Sequence, residues 1–319
     1  MTIPIPKNSM SGRWKISTIK NVCRRYCAKS VIIRNCRNAL LGHISGLTGG
    51  IEAFVKKGTT IRAYWYYANN FGDWITPELL RFYGWIPIFT PYFKAPQFAG
   101  AGSVLQNFKD DYAGVILGTG FMYETMSARL PHANVLAVRG ILTRQRIGKG
   151  EEVLLGDPGL LSSRLLPERI LKEFRLGIVP HYRDRTDCRI QQWAERYGSD
   201  VLTIDVQKRP HDVIKDIDRC ECIVSSSLHG LIVADALGIP SLWMVISQLA
   251  GGRFKFDDYY TSLDINCEPL HIQGDEPLNA LLSAATLKPR DKIEEIKEGL
   301  ERLFLNLPAL IAPRHPINC

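Results

Sequence analysis

Apolar and polar positions alternate in two successive rounds along the chain, behind a leading segment of different character. From residue 60 onward, short β-prone runs are separated by stretches with helical spacing. Ile61–Tyr66, Trp85–Phe89, Ala113–Leu117, Val135–Val138 and Val153–Leu155 read as strands. Asp73–Tyr83, with Pro77 in its first part, and Arg139–Ile147 read as helices between them. After Pro167 and a charged linker the rhythm restarts. Leu176–Val179, Val201–Val206, Cys222–Ser225 and Pro240–Ile246 are the predicted strands, and Cys188–Tyr197, His211–Arg219 and Leu231–Leu237 the predicted helices. A last helix, Asp291–Leu305, shows one apolar face through Ile293, Ile296, Leu300 and Leu303, with Glu298 and Arg302 paired on another.

Most of the short runs end in Gly, Asp or Arg, as strands of an open parallel sheet do when a site lies at their carboxyl ends. The expected fold class is therefore α/β, with two Rossmann-like domains facing each other across a cleft. The predicted boundaries are 58–165 and 174–306, with an arm over 1–57 and a tail over 307–319. No repeat at a solenoid period and no low-complexity segment interrupts this pattern.

Charge sharpens the division. The 319 residues carry 40 Lys and Arg against 32 Asp and Glu, a net +8. Residues 1–57 hold eleven basic side chains and one acid, Glu52, a net +10, so the remainder is close to neutral at −2. A near-neutral body argues against a broad nucleic-acid face, and no nucleic-acid partner is expected. In the arm, Trp14, Ile16, Ile19, Val22, Cys23 and Tyr26 recur at three- and four-residue steps, with Arg24, Arg25 and Lys29 opposite. This fits a membrane-surface helix, and it fits a solvated basic tail equally well. Leu47-Thr48-Gly49-Gly50 reads as a hinge or loop.

The most apolar stretch, Ala236–Gly252, is broken by Pro240 and too short to cross a bilayer. The basic start lacks a compact apolar region with a cleavage site, so secretion is not expected. The expected location is cytoplasmic, with peripheral contact at the inner face of the plasma membrane through residues 1–57. Eight irregularly spaced cysteines make no disulfide framework. Cys23/Cys27 and Cys220/Cys222 lack a second Cys or His pair at zinc-site distance, and read as reduced thiols.

The chemistry concentrates in Ser225-Ser226-Ser227-Leu228-His229-Gly230, where a buried strand runs into a tight turn and a helix begins. Free N–H groups at a helix N-terminus attract anions. The serine hydroxyls add donors there, and His229 adds a charge or a proton. An N-cap followed by a core histidine accounts for the same letters.

This segment resembles the polysaccharide pyruvyltransferase family, across about residues 65–260. The resemblance takes in Asn70-Phe71-Gly72-Asp73, Gly118-Thr119-Gly120, Val138-Arg139-Gly140 with Thr143, and Gly156-Asp157-Pro158-Gly159-Leu160. It continues through Val179-Pro180-His181 with Arg183-Asp184, and the Ser-Leu-His-Gly turn with its Ala-Leu-Gly-Ile-Pro continuation. It implies a GT-B-like arrangement with the acceptor on the N-terminal domain and the donor on the C-terminal one. It also implies transfer of a pyruvate ketal from phosphoenolpyruvate to a sugar of a lipid-linked exopolysaccharide or cell-surface glycan precursor. No cofactor and no metal site is expected beyond the donor substrate, with a divalent ion left open. One departure stands out. The family often has a basic residue just before Leu-His-Gly, where this chain has Ser227; Arg139, Arg183, Arg253 and Lys255 are candidates to compensate.

Phosphoenolpyruvate brings a phosphate and a carboxylate, which need cationic or N–H-rich contacts. Ketal formation needs a proton at the methylene carbon, a base for the attacking hydroxyl and stabilisation of phosphate. His229 is the candidate for phosphate contact or proton donation, and Arg139 for the donor's carboxylate or phosphate. Asp73 or Asp184 is the candidate base or hydroxyl acceptor, and His181 can serve either end. Asn70, Gly118, Thr119, Gly120, Arg183, Ser226, Ser227, Leu228, Gly230, Arg253 and Lys255 complete the expected substrate-binding set. Structural roles compete throughout: Asp73 as a helix cap, Asp157 as a turn residue, Arg139 and Arg183 in surface ion pairs, His181 orienting a loop. Asp216-Ile217-Asp218 matches a metal-dependent transferase pattern but falls on a helix face expected to be solvated. Asp257-Asp258-Tyr259-Tyr260 suits a sugar ring or a helix cap. The competing functions are a GT-B glycosyltransferase using a nucleotide sugar and a non-catalytic glycan-binding subunit.

Overall fold

Two parallel sheets carry the two rounds of strand and helix. The structure is a computed structural model, described over residues 34–52, 58–67, 70–247 and 251–311. The first sheet is built from β1 (Thr59–Tyr64), β2 (Trp85–Phe89), β3 (Phe98–Ala99), β4 (Val115–Leu117), β5 (Asn134–Val138) and β6 (Leu154–Leu155). Its order is β2-β1-β3-β4-β5-β6, parallel throughout. The second comprises β7 (Phe174–Val179), β8 (Val201–Thr203), β9 (Cys220–Ser225), β10 (Ser241–Val245) and β11 (Leu270–His271), in the order β11-β10-β9-β7-β8, again parallel. Numbered within its own sheet, each reads 2-1-3-4-5, with one further strand in the first. This is the flavodoxin-like doubly wound order, and its switch points lie between β1 and β3 and between β7 and β9.

Helices cover the sheets because parallel neighbours require crossovers. They are α2 (Phe71–Phe82), α3 (Ile141–Arg146), α4 (Cys188–Tyr197), α5 (Pro210–Asp218), α6 (Leu228–Leu237), α7 (Phe254–Ser262) and α8 (Leu278–Ala284), followed by α9 (Arg290–Leu305) and α10 (Leu307–Ile311). All ten residues of α6 are buried, which explains a segment apolar on every side. A 3₁₀ segment, Pro158–Leu165, packs against α2, α6 and α9 and joins the two sheet units. The final helix reinforces this joint. Phe304 of α9 stacks on Tyr83 at 5.0 Å, and Glu301 accepts from the Tyr83 hydroxyl. One core therefore runs from Ile61 and Phe98 through Leu231 to Phe304, while Trp193, Ile178 and Met244 fill a second cluster on the second sheet.

Several expectations change. Residues 47–50, read as a hinge, lie inside a helix over 34–52 (α1). Gly49 serves close packing there, since a Cβ on it would sit 2.8 Å from Ile88 Cγ1, and Gly42 does the same earlier in the helix, 3.0 Å from Pro91 Cδ. Ser45 Oγ accepts from the Phe89 N–H at 2.7 Å, so α1 shields the edge strand β2. The tail predicted from residue 307 begins as α10. The strand expected to reach Val206 stops at Thr203, because Asp205 turns the chain by accepting from the Gln207 N–H. β3, α7, α8 and β11 were not predicted; the strands among them are two residues long. Cys220 and Cys222 are buried free thiols pushed up to about 12 by desolvation. The patterns read over residues 1–33, including Trp14–Tyr26 and Cys23/Cys27, lie outside the described residues.

Candidate active site

The four chain segments that leave the switch-point strands converge. β1 leads to α2, whose first turn places Asp73 one residue beyond Gly72. Asn70 Nδ2 donates to Asp73 Oδ2 at 3.0 Å, and the turn after β3 brings Gly102 so close that a Cβ there would lie 3.1 Å from Asp73 Oδ1. Asp73 does not cap α2; Asn70 occupies the N-cap position, without a side-chain capping bond. Loss of hydration raises the Asp73 carboxyl to about 7, against the lowering effects of Asn70 and the Lys255 charge.

β7 and β9 supply the opposite side. Ser225 Oγ donates to the Val179 carbonyl and accepts from the Ser227 N–H, which shapes the turn into α6. Ser226 Oγ donates to Asp184 Oδ2 at 2.7 Å and accepts from the His181 N–H at 2.9 Å. Ser247 Oγ donates to the other Asp184 oxygen. Asp184 is thus a buried clamp on the loops after β7, β9 and β10. Ser227 is the N-cap residue of α6 with no side-chain capping bond, and the first-turn N–H groups of Leu228, His229 and Gly230 lack intrahelical acceptors.

His229 lies between the two sides. Its ring rests on Gly72 and meets Phe71 edge-on at 6.3 Å. Its Nε2 is 3.8 Å from Asp157 Oδ1, too long for a hydrogen bond. Both His229 Nε2 and Asp157 Oδ2 are buried with no hydrogen-bond partner among the described residues. Burial and the charges of Arg139 and Lys255 lower His229 to about 3, and burial raises Asp157 to about 6. Asp157 is more than the turn residue its neighbour Pro158 indicated. It caps the 3₁₀ segment through the Gly159 N–H and faces the histidine, a role that its motif hinted at and its spacing did not reveal.

The cations divide sharply. Arg139 is fully buried, and each guanidinium nitrogen already donates: to Asp258 Oδ2 at 2.9 Å, to Ser103 Oγ at 2.7 Å and to the Phe121 carbonyl at 2.7 Å. Of Gly118-Thr119-Gly120, Gly120 packs against the guanidinium, the Thr119 carbonyl accepts from the Arg139 N–H, and Gly118 packs against Pro158. A Cβ on Gly120 would strike the guanidinium, and Thr119 Oγ1 donates to the Gly102 carbonyl. Arg253 is exposed and paired with Asp257 and Glu268. Arg183 is exposed over the Tyr182 ring. Lys255 differs from all three. Its side chain is buried, only 7 % exposed, yet among the described residues its ammonium has no hydrogen bond and no ion pair. Desolvation lowers it to about 8, and its charge is felt at His181, His229 and Asp73. His181 falls to about 4 through desolvation and this same charge.

Two other motifs find structural roles. Asp218 is fully buried, held by Arg169 at 2.6 Å and by the Ile170 N–H at 2.8 Å, so its helix face is not solvated but anchors the linker. Asp258, Tyr259 and Tyr260 are buried in the Arg139 ion pair and the core, with Tyr259 donating to Asp235, and offer no surface to a sugar.

Comparison with known proteins decides the family, since the family model described as polysaccharide pyruvyl transferase matches residues 67–248. The chain belongs to the polysaccharide pyruvyl transferase family. It is accordingly a transferase of pyruvyl groups. Among curated members it is similar to the succinoglycan biosynthesis protein ExoV of Rhizobium meliloti (strain 1021), with 27% identity over 224 residues covering 68% of this chain and 69% of that protein. It is also similar to the uncharacterized protein L143 of Acanthamoeba polyphaga mimivirus, with 31% identity over 181 residues covering 53% of this chain and 61% of that protein. The family match takes in Asn70–Asp73, Asp157, Asp184 and His229, and ends before Lys255. Among the described residues no helix is long and apolar enough to cross a membrane, and no group of three His, Cys, Asp or Glu could hold a metal ion.

Proposed function

We propose that this pyruvyltransferase takes its pyruvyl group from phosphoenolpyruvate and places it, as a ketal, on a sugar of a lipid-linked exopolysaccharide or cell-surface glycan precursor. In this reading the two sheet units act as the two domains of a GT-B-like enzyme, with the donor on the second and the acceptor on the first. The observation that carries it is Lys255, a buried lysine whose ammonium makes no hydrogen bond and no ion pair among the described residues and whose charge reaches His229 in the first turn of α6. Burying an unpaired charge is costly, and a small anion with two charged groups relieves that cost. Lys255 thereby stands in for the basic residue that Ser227 replaces.

The chemistry follows from the proton inventory. Near neutral pH in the free protein His229 and His181 are neutral, while burial lets Asp73 keep its proton far above the ordinary carboxylate range. Asp73 delivers its proton to the methylene carbon of the donor, leaving an electrophilic C2. An acceptor hydroxyl adds to C2, and its proton passes to the Asp73 carboxylate. The second hydroxyl then forms the other C2–O bond as the phosphate C–O bond breaks, and its proton leaves with hydrogen phosphate. Lys255, the His229 ring and the first-turn N–H groups of α6 hold the phosphate as its charge grows. The scheme calls on no cofactor.

The enzyme works at the inner face of the plasma membrane. α1 turns Leu40, Ile44, Leu47 and Ile51 outward, on a segment of net +10. Each basic residue near an anionic leaflet contributes up to about 1 kcal/mol. Incubation with phosphoenolpyruvate and a glucose- or galactose-terminated acceptor tests the whole. Phosphate release with a pyruvylidene mass gain is the expected result. Nucleotide release from a nucleotide sugar, with phosphoenolpyruvate untouched, would replace it with glycosyl transfer.

A further inference from the structure

A pocket of about 430 Å³ opens beside the site, between α2 and the turn that joins β8 to α5. Its walls are Asn70, Trp74 and Glu78 on one side and Gln207, Arg209 and His211 on the other. We propose that this pocket is the acceptor subsite and holds an uncharged pyranose ring against Trp74. The inference rests on the pyruvyl-transfer reading and adds where the sugar sits.

Four observations lead to it. The volume lies within the ~300–1,000 Å³ of small-ligand sites, enough for one or two sugar rings. Trp74 is a partly exposed aromatic platform held rigidly by its neighbours, with Tyr67 edge-on at 4.9 Å and Trp65 at 5.9 Å. Its ring can face the C–H side of a sugar, while Asn70, Glu78, Gln207 and His211 surround it with the donors and acceptors that hydroxyls need.

The pocket is also joined to the reacting centre. Asn70 forms part of its wall and donates to the Asp73 carboxyl, so a ring on Trp74 presents its hydroxyls next to the proposed acid and base. The two walls are pinned by the Phe71 N–H, which donates to the Val206 carbonyl at 2.8 Å.

Charge separates this pocket from the donor position. The basic residues at its rim are already neutralised: Lys208 by Asp216 at 2.7 Å and Arg209 by Asp212 at 2.9 Å. A dianion gains little there and more at Lys255, which makes no ion pair among the described residues. Neutral hydroxyl-rich ligands and anionic ones are thereby sorted to adjacent places.

The test uses the full chain and two independent readouts. Binding of methyl β-D-glucoside, methyl β-D-galactoside, cellobiose and lactose is followed by saturation-transfer NMR. Phosphoenolpyruvate binding is followed by the shift in melting temperature. At least one saccharide should bind the wild type. W74A should weaken it about tenfold or more, W74F should retain most of it, and E78Q should weaken it without disturbing the aromatic cluster. The phosphoenolpyruvate shift should be unchanged in all three. Saccharide binding undiminished in both W74A and E78Q overturns the proposal, as does absence of binding by the wild type to every saccharide. If saccharides bind through Trp74 but phosphoenolpyruvate neither binds nor is consumed, the subsite stands and the donor assignment falls.

Discussion

The imidazole of His229 rests directly on the backbone of Gly72, so that a Cβ at position 72 would sit 2.2 Å from Nδ1. This contact joins a helix of one sheet unit to a helix of the other. It also sets the distance between the histidine and Asp73, which follows Gly72 in the chain. Because the clash is with a ring held in the core, Gly72→Ala has no cheap relief. It should cost about 1–3 kcal/mol of stability and lower turnover by about 10²-fold, since small misplacements at a reacting centre are expensive. Chemical denaturation and initial-rate kinetics check both. Unchanged turnover would mean that the contact does not position the ring for chemistry.

The Arg139–Asp258 pair makes a second bridge, between the end of β5 and α7. It is fully buried, and Thr143 adds two more bonds to the same carboxylate. Asp258→Asn or Arg139→Leu should each destabilise by about 3–5 kcal/mol, because each leaves an uncompensated buried partner. The double variant should lose less than the sum of the two in urea melts. Strict additivity would show that the residues do not act as a pair.

Asp73 yields a pH prediction with a defined sign. Its folded value of about 7 stands above the ordinary 3.8. Between those limits the folded state keeps a proton that the unfolded state releases, so ionisation at higher pH weakens the fold. Asp73→Asn should therefore be more stable than the wild type above pH 7, and the difference should vanish near pH 4. As proton donor, Asp73 should make kcat/KM fall above about pH 7, and Asp73→Asn should lose about 10²–10⁴-fold in rate together with that limb. A pH limb retained in the variant would assign it to another group.

Lys255 leads to the converse experiment. Phosphoenolpyruvate at 100 times its Kd should stabilise the wild type by about 2.7 kcal/mol, and Lys255→Met should abolish most of that gain. The unliganded variant should be no less stable than the wild type, since the desolvation cost of the buried ammonium outweighs its contact with the Phe256 ring and the longer-range pull of Asp73 and Asp184. Lys255 is lowered to about 8, so donor affinity should decline as the pH passes that value. Equal donor affinity in Lys255→Met would move the anion site elsewhere.

The outer face of α1 can be separated from catalysis. Replacing Leu40, Ile44, Leu47 and Ile51 together with Ser should reduce binding to vesicles containing anionic lipid, and leave turnover on a soluble acceptor within about twofold of wild type. Loss of both in parallel would mean that the face supports the fold.

Much of the architecture was legible in the sequence. Most of the parallel strands carry a short apolar run, and Trp85–Phe89 and Cys188–Tyr197 match the observed elements end for end. The turn into α6 was legible because a strand, three serines and a histidine fall within a few residues. Two-residue strands such as Phe98–Ala99 carry no periodicity, so β3 was not. Glycines misled in the 47–50 stretch, since close packing and hinge formation call for the same residue and only the neighbour, Ile88, distinguishes them.

Local order alone thus determined the α/β class, the family motifs and the helix N-terminus at which the candidate site is built. Long-range packing decided which charged groups remain available. Arg139 and Lys255 are both buried cations, indistinguishable by composition or spacing. Arg139 meets Asp258, 119 residues away in the chain, and is satisfied; Lys255 makes no ion pair and no hydrogen bond among the described residues, and feels Asp73 and Asp184 only at longer range. The distinction arises because desolvation and ion pairing depend on what the fold brings within a few ångströms, which no local pattern of residues encodes.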